Sequence, residues 1–195
     1  MSHDDVKPVL FLDLDDVVCL NAPYGGMDAL EVIQDSHINS TDVYRHLFSL
    51  VARDVLYRIH EAMGGHLRYV ISSSWRELFG REDLCQLFRR GGLGFVAASL
   101  HDADRWCTPL KLKRSQRVDE IAAWLDRHHR GEPFAIVDDE HSGASLRPAV
   151  AVPNHPFHGR VVLCQVDVGL CDEHAQTVVD ALGRGAAAPV SGRAQ

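Results

Sequence analysis

The sequence predicts an α/β protein, a mostly parallel sheet with helices on both faces in three layers. Three observations predict it. Short, continuously apolar runs such as Val9–Leu12 and Phe134–Val137 read as strands buried on both sides. Helical periodicities alternate with them, and both runs lead directly into acidic residues. In open parallel sheets the working groups gather beyond the carboxyl ends of the strands.

Taken in order, Val9–Leu12 is the first strand. Val43, Leu47, Val51, Val55, Ile59 and Met63 keep a four-residue beat, predicting one long helix capped by Ser40 or Thr41 and stopped by Gly64-Gly65. Leu67–Ile71 reads as the second strand, Glu77–Arg90 as a helix ended by Gly91-Gly92, and Phe95–Ala98 as the third strand. Val118, Ile121, Ala122 and Leu125 mark the next helix, closed by Gly131 before Phe134–Val137. Ala149–Val152 and Val161–Val166 are expected as late strands, and Asp172 as the cap of a last helix through Leu182. The expectation is a single domain over residues 1–182, with a loop-plus-helix insert at about 20–66 that is too small for a large lid. A Gly-, Ala- and Pro-rich tail over 183–195 is expected to be flexible.

Composition narrows the function. The chain has 195 residues, with 20 Lys and Arg against 27 Asp and Glu, a formal charge of −7. That argues against a general attraction to a nucleic-acid backbone while leaving room for a local basic groove. Five cysteines at irregular spacings fit reduced thiols better than a disulfide framework. The polar segment Met1–Pro8 is no signal peptide, so a cytoplasmic location is expected, and no apolar run is long enough to span a membrane. Cys164, Cys171, His155, His158 and His174 lack the C-x-x-C spacing of zinc sites, so no zinc is expected. Trp124 reads as core, while Trp75 and Trp106 are equally suited to packing and to stacking on bases.

The chemistry concentrates at two strand ends, Asp13-Leu14-Asp15-Asp16 and Asp138-Asp139-Glu140. Carboxylates gathered in one crevice repel each other until a cation neutralises them, and hard oxygen donors select Mg²⁺. One Asp after a strand is more economically a turn or helix cap; two such ends on one sheet edge reverse that preference. Asp16 reads as holding its turn. After the second strand, Ser72, Ser73 and Ser74 offer hydroxyls and N–H groups suited to phosphate, with Arg76 beside them for a second polar group or a salt bridge. Lys111, Lys113, Arg114 and Arg117 precede the helix leading back to Asp138, and one of them could balance a phosphoryl charge.

These motifs, in this order, resemble the haloacid dehalogenase (HAD) superfamily of phosphohydrolases from Val9 to about Leu182. The resemblance implies a Rossmann-like fold, Asp13 as nucleophile, Asp15 as general acid and base, and Ser72 or Ser73 as the phosphate hydroxyl. It also implies Lys113 or Arg117 as the basic group and a Mg²⁺ site drawn from Asp13, Asp15, Asp138 and Asp139. A closer likeness is to the HAD-like domain of Swiss-army-knife RNA repair proteins. It rests on Ser73–Arg76, on Arg117-x-x-Glu120-Ile121-x-x-Trp124-Leu125 and on Asp167-x-Gly169-Leu170. It implies a phosphorylated small molecule or a nucleic-acid end as substrate; oligomeric state stays open. The competing reading is a non-catalytic module of the same fold that binds a nucleic-acid end or a protein partner.

Overall fold

The structure, a computed structural model, describes residues 7–35, 40–102, 104–110 and 116–184. The elements run β1 (Val9–Leu12), α1 (Gly26–Gln34), α2 (Ser40–His46), α3 (Leu50–Ala62), β2 (Arg68–Ile71), α4 (Arg81–Arg90) and α5 (Gly94–Ser99). Then follow α6 (Arg117–His128), β3 (Phe134–Asp139), α7 (Arg147–Ala151), β4 (Val161–Cys164) and α8 (Asp172–Gly183), with short 3₁₀ turns at Ser74–Glu77 and Ser142–Leu146. The four strands form one sheet in the order β2-β1-β3-β4, every pair parallel. Leu12 stands level with Ile71 on one side and Val137 on the other, so Asp13, Ser72 and Asp138 leave the sheet at one edge.

Strand alternation sorts the core into two faces. Leu10, Leu12, Tyr69, Ile71 and Val137 pack with Phe48, between α2 and α3, and with Leu56, Phe88 and Val178 from the helices of one side. Val9, Phe11, Val70 and Ile136 meet Ile121 and Trp124 of α6 and Ala149 of α7 on the other. Phe11 meets Trp124 edge to face at 5.1 Å. A three-layer, Rossmann-like α/β/α fold results. Among the described residues no helix is long and apolar enough to cross a membrane.

Several local expectations are corrected. The long helix expected over Val43–Met63 is two helices: Ser49 leaves helical geometry at φ −53°, ψ 131°, and its hydroxyl accepts the Ala52 N–H at 3.4 Å, restarting the chain as α3. Phe95–Ala98 is helix, not strand. Gly92, at φ +86°, turns the chain back, and the Leu93 carbonyl accepts the N–H groups of Val96 and Ala97. Ala149–Val152 falls at the end of a helix because Pro148 favours a first helical turn. The helix expected from Glu77 starts at Arg81, and Cys171, not Asp172, is the cap of α8. The segment expected as a loop after β1 contains α1, whose Ala29 and Val32 pack into the core. The expected tail lies outside the described residues beyond Arg184.

Candidate active site

Asp13 is the first residue past β1, and Asp138 and Asp139 are the last of β3. All three are buried. One oxygen from each carboxylate lies within 4.8 Å of the others. Parallel pairing accounts for this, since the Asp13 N–H donates to the Val137 carbonyl at 3.0 Å and locks the two strand ends level.

One arginine faces this acidic group among the described residues. Arg117, at the start of α6, reaches Asp13 Oδ1 with Nη2 at 3.2 Å and places Nε 2.8 Å from Asp138 Oδ2. The latter is an ion pair at an angle unsuited to a hydrogen bond. Burial, reinforced by repulsion from Asp138, raises Asp13 well above the usual carboxylate range. Burial pushes Asp138 up to about 6 against the pull of Arg117. For Arg117 itself burial works against the charge, but Asp138 and Asp13 outweigh it and hold the guanidinium protonated.

Ser142, in the 3₁₀ turn after β3, sets its hydroxyl among the same acids. Its Oγ lies 2.7 Å from Asp138 Oδ1, 3.5 Å from Asp13 Oδ2, and within hydrogen-bonding contact of Asp139 Oδ2. One hydroxyl carries one proton and satisfies one carboxylate at a time. Asp139 also caps this turn, its Oδ1 accepting the N–H groups of His141 at 2.6 Å and Ser142 at 3.0 Å. Gly143 allows the close approach: a Cβ there would lie 3.0 Å from that of Asp138 and 2.9 Å from Leu163 Cδ2.

Three clustered carboxylates against one guanidinium, itself shared with Glu120, leave a surplus of negative charge on hard oxygen donors. Such a donor set fits Mg²⁺. The Asp15 carboxylate is outside this group. Trp75 Nε1–H donates to it at 2.9 Å and Ser74 Oγ at 3.2 Å, fixing it against the turn after β2. Trp75 is therefore a buried anchor for Asp15 rather than a surface for bases, and Trp124 is core as expected.

A family model described as the HAD domain in Swiss Army Knife RNA repair proteins matches residues 9–175. The chain belongs to this family. Searches of curated proteins and of solved structures find no match. Membership places this HAD domain, at the level of the superfamily, with phosphohydrolase-type hydrolases.

The remaining expected site residues divide clearly within the HAD domain. Ser72 is buried with a hydroxyl that has no hydrogen-bond partner among the described residues, whereas Ser73 Oγ accepts the Trp75 N–H at 3.4 Å as a local cap. Arg76 points inward: Nη2 pairs with Glu120 at 2.7 Å and Nη1 donates to the Ser73 carbonyl. Its charge is thus engaged inside the protein and is not presented for a second phosphate. Lys113 lies outside the described residues. Asp16 does hold its turn, at φ 52°, and also accepts the Asp167 N–H at 3.2 Å. Sequence reasoning missed Ser142, although a serine three residues after Asp139 is within the reach of a cap. It also missed Thr108, buried beside the end of β2 with its hydroxyl unpaired among the described residues, for which the sequence offers no signal.

Proposed function

We propose that this HAD domain is a Mg²⁺-dependent phosphatase that cleaves a phosphomonoester through an aspartyl phosphate on Asp13. The observation that carries this reading is the convergence of Asp13, Asp138 and Asp139 within 4.8 Å, buried, at one sheet edge. Asp13, Asp138 and Asp139 would hold the ion, which supplies charge neutralisation between the nucleophile and the phosphoryl oxygens.

The chain's own groups do the rest. A carboxylate oxygen of Asp13 attacks phosphorus in line with the leaving oxygen, and the ester P–O bond breaks. Arg117, already turned to Asp13, balances charge on the equatorial oxygens. Ser72, with its hydroxyl uncommitted, donates to a phosphoryl oxygen. Asp15, oriented by Trp75 and Ser74, protonates the departing alcohol; it then takes a proton from the water that attacks the acyl phosphate, releasing inorganic phosphate. The family's occurrence in RNA repair proteins and the small insert after β1 favour a phosphorylated nucleotide or nucleic-acid end as substrate.

The test is a screen of phosphorylated metabolites and of 3′- and 5′-phosphorylated oligonucleotides in Mg²⁺, with EDTA controls and the Asp13→Asn variant alongside. EDTA-sensitive release of phosphate that Asp13→Asn loses is the expected result. Unaltered turnover in that variant overturns the nucleophile assignment. Binding of an oligonucleotide without release would favour the non-catalytic module instead.

A further inference from the structure

A second group of metal-ligating side chains lies one strand away, built from residues whose sequence spacing gave no sign of it. Cys164 ends β4, Cys171 caps α8, and Glu173 and His174 are in the first turn of that helix. Cys164 Sγ lies 4.0 Å and Cys171 Sγ 3.5 Å from the same nitrogen, His174 Nδ1. Zinc–sulfur and zinc–nitrogen bonds of about 2.3 and 2.0 Å at a tetrahedral angle set S and N about 3.5 Å apart, which matches Cys171 and is about 0.5 Å shorter than the Cys164 separation. A carboxylate oxygen of Glu173 falls within 4.8 Å of the Cys171 and His174 donors. His155 and His158 take no part, turning instead to Phe157 and to the Ala149 carbonyl.

We infer that Cys164, Cys171, His174 and Glu173 form a binding site for a divalent cation of intermediate softness, Zn²⁺ foremost, separate from the carboxylate site. Two sulfurs and an imidazole suit Zn²⁺ and disfavour Mg²⁺, so the two sites select different ions. The imidazole has the required tautomer. Its Nδ1 accepts the Cys171 N–H at 3.2 Å, which leaves the proton on Nε2, 3.6 Å from Glu173 Oε1. A cation at Nδ1 replaces that single N–H contact, a small loss beside the strength of a zinc–thiolate site. Each thiol gives up its proton to solvent on binding.

The site would have a structural task. Cys164 and Cys171 bracket residues 165–170, and this segment lies against the turn that follows Asp13. The Leu170 N–H donates to the Val17 carbonyl at 2.9 Å, and a Cβ on Gly169 would come within 2.6 Å of that same oxygen. A cation joining the two ends of the segment clasps it onto the turn.

The experiment is titration of the metal-stripped, reduced protein with Co²⁺ in excess Mg²⁺, which keeps the carboxylate site occupied, followed by displacement with Zn²⁺. Expected are sulfur-to-cobalt charge-transfer absorption and strong tetrahedral d–d bands, both abolished by one equivalent of Zn²⁺. Cys171→Ser, half-buried and checked for folding by circular dichroism, should weaken Zn²⁺ binding about a hundredfold and reduce the charge-transfer band. Glu173→Gln should weaken it about tenfold. A second measurement needs no variant: Zn²⁺ should slow alkylation of the half-buried Cys171, read by peptide mass spectrometry, and leave Cys107 unchanged. Weak octahedral bands alone, or a wild-type spectrum in Cys171→Ser, or no protection of Cys171, would overturn the assignment.

Discussion

Arg117 and Arg76 are both buried guanidinium groups, and both reach Glu120 Oε2, Arg76 at 2.7 Å and Arg117 at 3.4 Å. From there they part. Arg117 turns Nη2 to Asp13 and sets Nε in an ion pair with Asp138, while Arg76 turns to the Ser73 carbonyl and has no second acid among the described residues. One carboxylate thus orders two cations of opposite use, one facing Asp13 and Asp138 and one fastening the turn after β2 to α6. Burial alone does not mark a working arginine; its other partners do.

The comparison is broken most severely at Asp13, the carboxylate that Arg117 faces. Asp13→Asn should lower phosphate release by about 10⁴-fold or more. Its metal-free thermal midpoint should not fall, since a buried like charge is removed; a large loss of stability would instead make Asp13 a structural group. Arg117→Met should cost about 10²–10³ in kcat, with the Mg²⁺-loaded fold intact by circular dichroism. Arg76→Met should show the reverse pattern. It leaves Glu120 short of a buried partner and should cost about 3–5 kcal/mol in urea unfolding, with kcat of the folded fraction near wild type. If the two variants gave the same profile, the division of labour would be wrong.

A pH series sharpens the acid side. Folding raises Asp138 to about 6 from an ordinary carboxylate value of about 3.9, chiefly through burial, and Asp13 moves the same way. The contribution of Asp138 to stability is therefore complete below about pH 4 and is lost as pH rises through about 6. The thermal midpoint of metal-free protein should fall across that window relative to Asp138→Asn, and Mg²⁺, proposed to bind the ionised acids, should restore it. The smallest effect is expected from Ser142→Ala, a drop of about three- to tenfold in kcat/KM as the acids lose one shared donor.

How much could be read beforehand differs between strand ends and the segments between them. Val9–Leu12 and Phe134–Val137 announced themselves, because a strand buried on both faces must be apolar throughout and acids directly after it cannot join the core. Asp13, Asp138 and Asp139 followed from that, whereas Arg117 stood level with Lys113 in the sequence. Phe95–Ala98 and Ala149–Val152 misled because four apolar residues fit a buried helical turn as well as a strand. The beat through Val43 and Met63 hid the break at Ser49, since Val43, Leu47, Val55 and Ile59 on it are all buried although Val51, just past the break, is exposed. Arg76 and Glu120 could not be paired from sequence, as nothing local sets a distance between the turn after β2 and α6. Cys164, Cys171 and His174 were discounted for the same kind of reason: the loop that folds them together is not a spacing motif.

The central position of β1 has a bearing on synthesis. Its two neighbours are β2 and β3, so Val9 must find Arg68 on one flank and Phe134 on the other. During translation β1 is the first of the four strands to emerge, and it gains its second neighbour only with β3. A nascent chain that has reached Ser99 can lay down the β1–β2 pair and α1 to α5, but Phe11 and Val70 still lack Trp124, and Asp13 still lacks its companions from β3. Arrested chains of that length should expose a sticky apolar edge to chaperones, and Asp13 gains its acidic neighbours only when β3 arrives.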